Sequence, residues 1–279
     1  MFARASRNLT LQSWTHTTTR SLTTCATRLA VATSDTQTNR AEKMMRRFWK
    51  QVAIDTKPDG TYAVLLDKRT LKTPGGKLLS LPKEQLPIAV LIADEWENQL
   101  EVLKPHTLPM TSIYSRAIDG LSDESTRKSV VEYLLKYLDT DTICFHEEFP
   151  QTLVKLQDDH WKPLIAWIEQ TYDVKIKVYD GILGTRQSDA TVVKLGAVVG
   201  AYDQFKLAAF ERAVLASKSY LIALGLVEGF LSVEQAAMAA HVEVQSQIDK
   251  WGEVEDTHDV DHQDVRVRLG SAAMLVSKF

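Results

Sequence analysis

The sequence has 279 residues, of which 44% are hydrophobic and 25% charged, and its formal net charge is −3. This is an ordinary globular composition, and the length allows one large domain or two smaller ones. The acidic balance excludes a general nucleic-acid binder, which would need a basic surface. The apolar run Ser219–Val227 is far shorter than the roughly 20 residues that a membrane-spanning helix needs, so no membrane insertion is expected.

Residues 1–34 have a composition of their own. Serine and threonine are frequent, Asp, Glu and Lys are absent, and the charged residues are Arg4, Arg7, Arg20 and Arg28. This pattern is typical of a mitochondrial transit peptide, because the matrix-negative potential draws positive charge inward. A disordered basic tail that binds nucleic acid is the competing interpretation. Cleavage near residues 25–34 would remove four positive charges and leave an acidic protein of net charge near −7 in the mitochondrial matrix.

Residues 46–81 show the two-residue period of β-strands. The segments 48–55 and 61–67 flank Pro58-Asp59-Gly60, which predicts a hairpin. A second short pair, 69–73 and 77–81, is expected around Pro74-Gly75-Gly76. These residues therefore predict a small antiparallel β domain.

Residues 82–279 show the spacing of helices. The pattern predicts helices over 86–96, 110–118, 126–138, 153–172 with a kink or restart at Pro163, 203–224, 232–251 and 263–278, a further helix from 189 that Gly200 breaks, and a strand over 174–179. Ser232 and Gln235 have the spacing of a capping box, and Gly252 is placed as a helix stop. The predicted fold class is therefore α+β, with a small N-terminal antiparallel β domain and a larger, mainly helical domain.

Motifs for catalysis or cofactor binding are weak. Gly75-Gly76-Lys77 lacks both the first glycine and the following Ser or Thr of a phosphate-binding loop, so no cofactor is predicted. His258 and His262 have the four-residue spacing of zinc proteases, and a metal-dependent matrix hydrolase using these two residues is the alternative function. Cys144 lies two residues before His146, but a structural cysteine fits better than a nucleophile. We predict that the chain is not an enzyme.

Seven short segments in order are more informative than any single motif. They are 47–50 (RFWK), 66–74 (LDKRTLKTP), 93–99 (ADEWENQ), 108–111 (LPMT), 137–141 (YLDTD), 161–164 (WKPL) and 251–252 (WG). Together they resemble the mitochondrial F1 ATP synthase assembly factor family that chaperones the alpha subunit. The resemblance runs from about Arg47 to His258, with departures at Lys68, where glycine is usual, and at Lys162, where an acidic residue is usual.

The resemblance implies a chaperone that binds the free alpha subunit, prevents its aggregation and releases it as the catalytic hexamer forms. It also implies an acidic functional residue shortly before the Trp-Gly pair, which in this chain is Glu243. Alanines at 236, 237, 239 and 240 would let a partner approach Glu243 closely, although an ordinary exposed glutamate is the competing interpretation. Trp49, Trp96 and Trp161 are further candidate client-binding residues, with core packing as the alternative. The protein is expected to be a monomer.

Overall fold

The computed structural model describes residues 46–181 and 185–278, so the predicted transit peptide lies outside the described residues. The strands are β1 Val52–Thr56, β2 Tyr62–Leu66, β3 Arg69–Thr70 and β4 Ser80–Leu81. The helices are α1 Leu86–Glu97, α2 Pro109–Gly120, α3 Glu124–Leu135, α4 Gln151–His160, α5 Lys162–Tyr172, α6 Asp189–Gly200, α7 Gln204–Ser217, α8 Tyr220–Val227, α9 Val233–Ala240, α10 Val242–Trp251 and α11 His258–Val276. Short 3₁₀ turns cover Lys83–Gln85, Pro105–Thr107, Lys136–Thr140 and Thr142–Cys144.

The four strands form one antiparallel sheet with β2 in its centre. β1 and β2 pair from Val52↔Leu66 to Thr56↔Tyr62, around a turn in which Gly60 adopts a φ of +81°. β3 and β4 both pair with β2, and a bridge Lys72↔Leu78 joins the segments that lead into and out of the second turn. The small N-terminal antiparallel sheet, and with it the predicted α+β class, is confirmed.

Helix α1 packs against β1 and β2 and connects the sheet to the helices that follow. Its residue Glu95 caps the next helix: the carboxylate accepts hydrogen bonds from Met110 N at 2.5 Å and from Thr111 N at 2.9 Å at the start of α2. Sheet and helices share one hydrophobic core, and the predicted boundary between a β domain and a helical domain at residues 81–82 stays a prediction.

The helical part is built around α7 and the fully buried α8. The C-terminal helix α11 packs against α7 and α9, and α10 packs against α4. No helix of the described residues has the length and apolarity to cross a membrane.

Two predicted long helices are each two helices. The helix expected over 203–224 is interrupted at Lys218, whose φ is +57°, and α8 restarts with the Ser219 side chain accepting from Ile222 N at 2.9 Å. The helix expected over 232–251 is interrupted at His241, although its predicted capping box at Ser232 and Gln235 is present. The predicted restart near Pro163 is confirmed by the break between α4 and α5.

The strand predicted over 174–179 is wrong, because among the described residues only Tyr179 of this segment forms a bridge, with Phe145. In this segment, side chains accept the hydrogen bonds of the backbone N–H groups, in place of a neighbouring strand. Glu169 accepts from Ile176 N and Gln187 from Lys177 N, both at 2.9 Å.

A buried carboxylate explains the break before α8. Asp141 is fully buried, and its two oxygens accept hydrogen bonds from Ile143 N at 3.2 Å and from Leu221 N at 3.0 Å in the first turn of α8. Burial raises the pKa of Asp141 from 3.8 to about 6, against the opposing effect of these hydrogen bonds.

This pKa predicts a pH dependence that Asp141→Asn removes. The folded protein holds the proton of Asp141 up to about pH 6, whereas the unfolded chain loses it near pH 3.8. The contribution of this group to the free energy of unfolding is therefore highest below pH 3.8 and falls as the pH rises from 3.8 to about 6. Urea unfolding of both proteins from pH 4 to pH 7 checks this. We expect the wild-type free energy of unfolding to fall relative to the variant between pH 4 and pH 6, and a relative rise would contradict the assignment.

Candidate functional site: the exposed face of α10

Helix α10 presents three side chains to solvent at four-residue steps: Glu243, Gln247 and Trp251, called here the α10 face. Residues spaced this way lie along one side of a helix. Another side of α10 is anchored by Val242 and Ser246, which are buried. The helix is therefore held by the body of the protein while this face stays open.

Trp251 is the feature of this face that sequence reasoning missed. It is 71% exposed, and the Nζ of Lys250 lies 4.8 Å from its ring centroid. Two valines that follow in sequence are also exposed, Val254 in the loop after α10 and Val260 in the first turn of α11. A large apolar side chain left in water, with an acidic residue two turns away, is typical of a protein-binding site.

Histidines fix the position of α10 against α11. His241, just before α10, makes a hydrogen bond with Asp261 at 3.1 Å, and its ring stacks on that of His262 with centroids 6.1 Å apart. Burial lowers the pKa of His241 from its ordinary value, against the opposing effect of Asp261. His258 Nδ1 accepts a hydrogen bond from Val254 N at 3.0 Å and closes the loop between the two helices.

Two of these histidines, His258 and His262, were the basis of the alternative metal site. They lie at the start of α11 as the four-residue spacing predicts, but His258 uses one ring nitrogen to hold the loop. The described residues contain no group of three His, Cys, Asp or Glu side chains placed to bind a metal ion.

The surroundings of Glu243 differ from the prediction. The predicted helix is interrupted at His241. The four alanines therefore lie on α9, whereas Glu243 lies on α10. Three of them, Ala236, Ala237 and Ala239, are buried in the core and leave no room for a partner. Glu243 itself is exposed in the first turn of α10, where the helix dipole favours an acidic side chain.

The three candidate tryptophans lie elsewhere, and two of them are in the core. Trp161 is fully buried, and its Nε1 donates to Ala239 O at 2.8 Å. Trp49 is 3% exposed and packs against Trp96 with ring centroids 5.1 Å apart. Trp96 is half-buried and donates to Thr111 Oγ1 at 3.0 Å. Core packing therefore describes Trp49 and Trp161.

Cys144 is buried as a structural residue. Its Sγ accepts from Gln187 Nε2 at 3.6 Å, and burial raises the pKa of the thiol. A thiol held in its protonated form is a poor nucleophile.

Residues 46–169 match a family described as ATP12 chaperone protein. Two mitochondrial proteins are similar over most of their length. The atp12 protein of Schizosaccharomyces pombe is 35% identical over 238 residues, which cover 82% of this chain and 81% of that protein. The ATP12 protein of Saccharomyces cerevisiae is 30% identical over 283 residues, covering 87% of each.

The fold of this chain is also similar to that of solved structures. The crystal structure of Atp12 from Paracoccus denitrificans superposes with a TM-score of 0.71 at 29% identity, covering 85% of this chain and 100% of that one. A mutant of the same bacterial protein, in which lysine replaces an aspartate, gives a TM-score of 0.70 and covers 84% of this chain and 98% of that one, again at 29% identity.

Proposed function

This chain belongs to the ATP12 chaperone family, and we propose that it binds the free alpha subunit of the mitochondrial F1 ATPase in the matrix. In this proposal it keeps the alpha subunit from aggregating and releases it as the catalytic hexamer of ATP synthase assembles. The family is described as a chaperone, which confirms the family predicted from the seven sequence segments and the prediction that the chain is not an enzyme.

The observation that carries the proposal is the exposure of Trp251 on the same side of α10 as Glu243. A tryptophan covers a large apolar area at little entropic cost, and a neighbouring charge orients the partner. Such a surface shields an apolar client patch while its polar surroundings keep the interface releasable.

The choice of client rests on the sequence resemblance, and the location rests on residues 1–34. The two yeast relatives are named as mitochondrial proteins, which agrees with a transit peptide in this chain. The matrix is the compartment proposed here because an arginine-rich segment without acidic residues is drawn across the inner membrane.

A client-protection assay tests this function. Denatured alpha subunit is diluted into buffer with the full chain, and light scattering is followed against an unrelated folded protein at the same concentration. We expect scattering to be suppressed near one-to-one stoichiometry, and we expect added beta subunit to displace the client. Scattering equal to that of the control protein would refute the proposal.

A further inference from the structure

A groove runs between the outer edge of the sheet and one side of α2, formed by two adjoining cavities of about 660 and 620 Å³. The cavities share Lys72, Trp96 and Leu103, so they are one continuous surface. Its lining is mainly apolar, and at the first cavity it includes the exposed Phe48 and Leu78, which are 61% and 51% accessible. This area is separate in sequence from the α10 face.

The strand register places backbone groups along this groove. Leu71 N donates to Val64 O at 2.8 Å, and Leu71 O accepts from Leu79 N at 3.1 Å, so the peptide groups of Leu71 point into the sheet. Alternate residues of a strand point their peptide groups to opposite edges. Those of Thr70 and Lys72, which both line the first cavity, therefore face the outer edge, where another extended chain can pair.

Two buried polar side chains line the groove without a partner among the described residues. The Nε1 of Trp49, in the first cavity, and the Oγ of Ser115, in the second, have no hydrogen-bond partner there. These residues are only 3% and 6% exposed. An indole N–H can only donate, and a buried polar group left unpaired is costly, so an oxygen acceptor that reached either atom would be favoured.

The charge of the groove is positive. The first cavity is lined by Arg46, Arg69 and Lys72 and by no acidic residue among those described. In the second cavity the charged side chains on α2 are engaged within the protein, Arg116 in an ion pair and Asp119 in hydrogen bonds with neutral donors. Arg116 contacts Glu211 at 2.8 Å, and Asp119 accepts from Gly75 N at 2.7 Å. The charge open to a ligand in the first cavity is therefore cationic.

The walls of the groove are held in place before any ligand binds. Arg47 Nη1 donates to the carbonyl oxygens of Glu97 and Gln99, each at 2.6 Å, and fixes the segment that carries Phe48 and Trp49 against the end of α1. On the other side, Asp119 and Lys77 tie the second turn of the sheet to α2, since Lys77 Nζ donates to Ile118 O at 2.8 Å. A preformed groove loses less entropy on binding.

We propose that this groove binds an extended peptide segment in which apolar and acidic side chains alternate, paired through its backbone with the edge at Thr70 and Lys72. The apolar side chains lie against Phe48 and Trp96 on one face of the paired strand, and the acidic ones extend from its other face, on the side of Lys72. Arg46 and Arg69 add to the positive charge of the groove. That this segment is supplied by the client rests on the proposed function. A chaperone with both surfaces holds its client at two points, which strengthens capture without strengthening either contact.

A model peptide tests the groove without any client. A fluorescein-labelled decapeptide of alternating valine and glutamate is titrated with the full chain, and fluorescence anisotropy is measured. We expect saturable binding that Arg69→Glu combined with Lys72→Glu weakens about tenfold or more. Lys128→Glu combined with Lys136→Glu, at exposed positions on α3 and just after it, makes the same change in net charge and should leave binding unchanged.

Two altered peptides separate the charge and backbone contributions. The valine–lysine version should not bind, and N-methylation of every second residue on the pairing edge should abolish binding, because it removes the backbone donors. Equal binding of the valine–glutamate and valine–lysine peptides would overturn the proposal. So would wild-type affinity in a folded variant that carries Arg69→Glu and Lys72→Glu. Since no alpha subunit is present, peptide binding with failed client protection would refute the proposed function alone.

Discussion

Trp161→Ala is expected to lower the free energy of unfolding by about 3–5 kcal/mol, as for other large buried aromatic side chains. The side chain is fully buried, its ring lies 5.5 Å from that of His146, and its Nε1 donates to Ala239 O at 2.8 Å. The substitution leaves a cavity and removes the indole donor from a buried carbonyl. Urea unfolding followed by circular dichroism measures the loss.

Trp161→Phe is the control for that result, because it removes the indole hydrogen bond but keeps most of the buried volume. Its expected loss is smaller, on the order of 1–2 kcal/mol. The contrary result is a Trp161→Ala protein that has the same urea unfolding midpoint as the wild type but fails to capture the client. In that case Trp161 would be a client contact, and its burial in the core would be contradicted.

Trp251→Ala and Glu243→Lys are each expected to weaken binding of the alpha subunit about tenfold or more, with little change in the free energy of unfolding. Both side chains are exposed, so neither change disturbs the core, whereas an aromatic anchor at the centre of an interface contributes about 2 kcal/mol or more to binding. Titration of fluorescently labelled alpha subunit measures the dissociation constants.

Tyr133→Ala is the matched control, since Tyr133 is an aromatic residue on α3 that is 50% exposed. It should bind client like the wild type. Unchanged affinity in both α10 variants would remove this face from the client interface, and an equal loss in the Tyr133 variant would show that exposed aromatic residues act without regard to position.

The parts of the fold that were predicted correctly are those with strong local signals. Pro58-Asp59-Gly60 between two alternating segments predicted the first hairpin, and Gly60 has the positive φ that such a turn needs. Ser232 and Gln235 predicted a helix start, and both capping bonds are present. In each case the residues that determine the structure are neighbours in sequence.

The errors arise where distant residues decide the structure. The apolar run before and after Ser219 continues a helical pattern, but Asp141 binds the backbone of Leu221 from 80 positions away and fixes a new helix start. The segment 174–179 has an alternating pattern, yet Glu169 and Gln187 occupy its backbone donors. Periodicity within one segment contains no information about such contacts.

The candidate site was predicted only in part, since Glu243 was predicted and Trp251 was not. A tryptophan pattern does not distinguish burial from exposure, because large aromatic residues serve both cores and interfaces. The available signal was position. Trp251 ends its helix between Lys250 and Gly252, and the residues that follow are mainly acidic: Glu253, Glu255 and Asp256.

The central claim is that the exposed face of α10 holds the client, and site-specific cross-linking tests it most directly. A photoreactive phenylalanine analogue replaces Gln247, which lies on this face between Glu243 and Trp251, and in a second protein it replaces Lys128 on α3. Each full chain is irradiated with free alpha subunit. We predict a one-to-one cross-linked product from position 247 and none from position 128. No product from 247, or equal products from both positions, would contradict the claim.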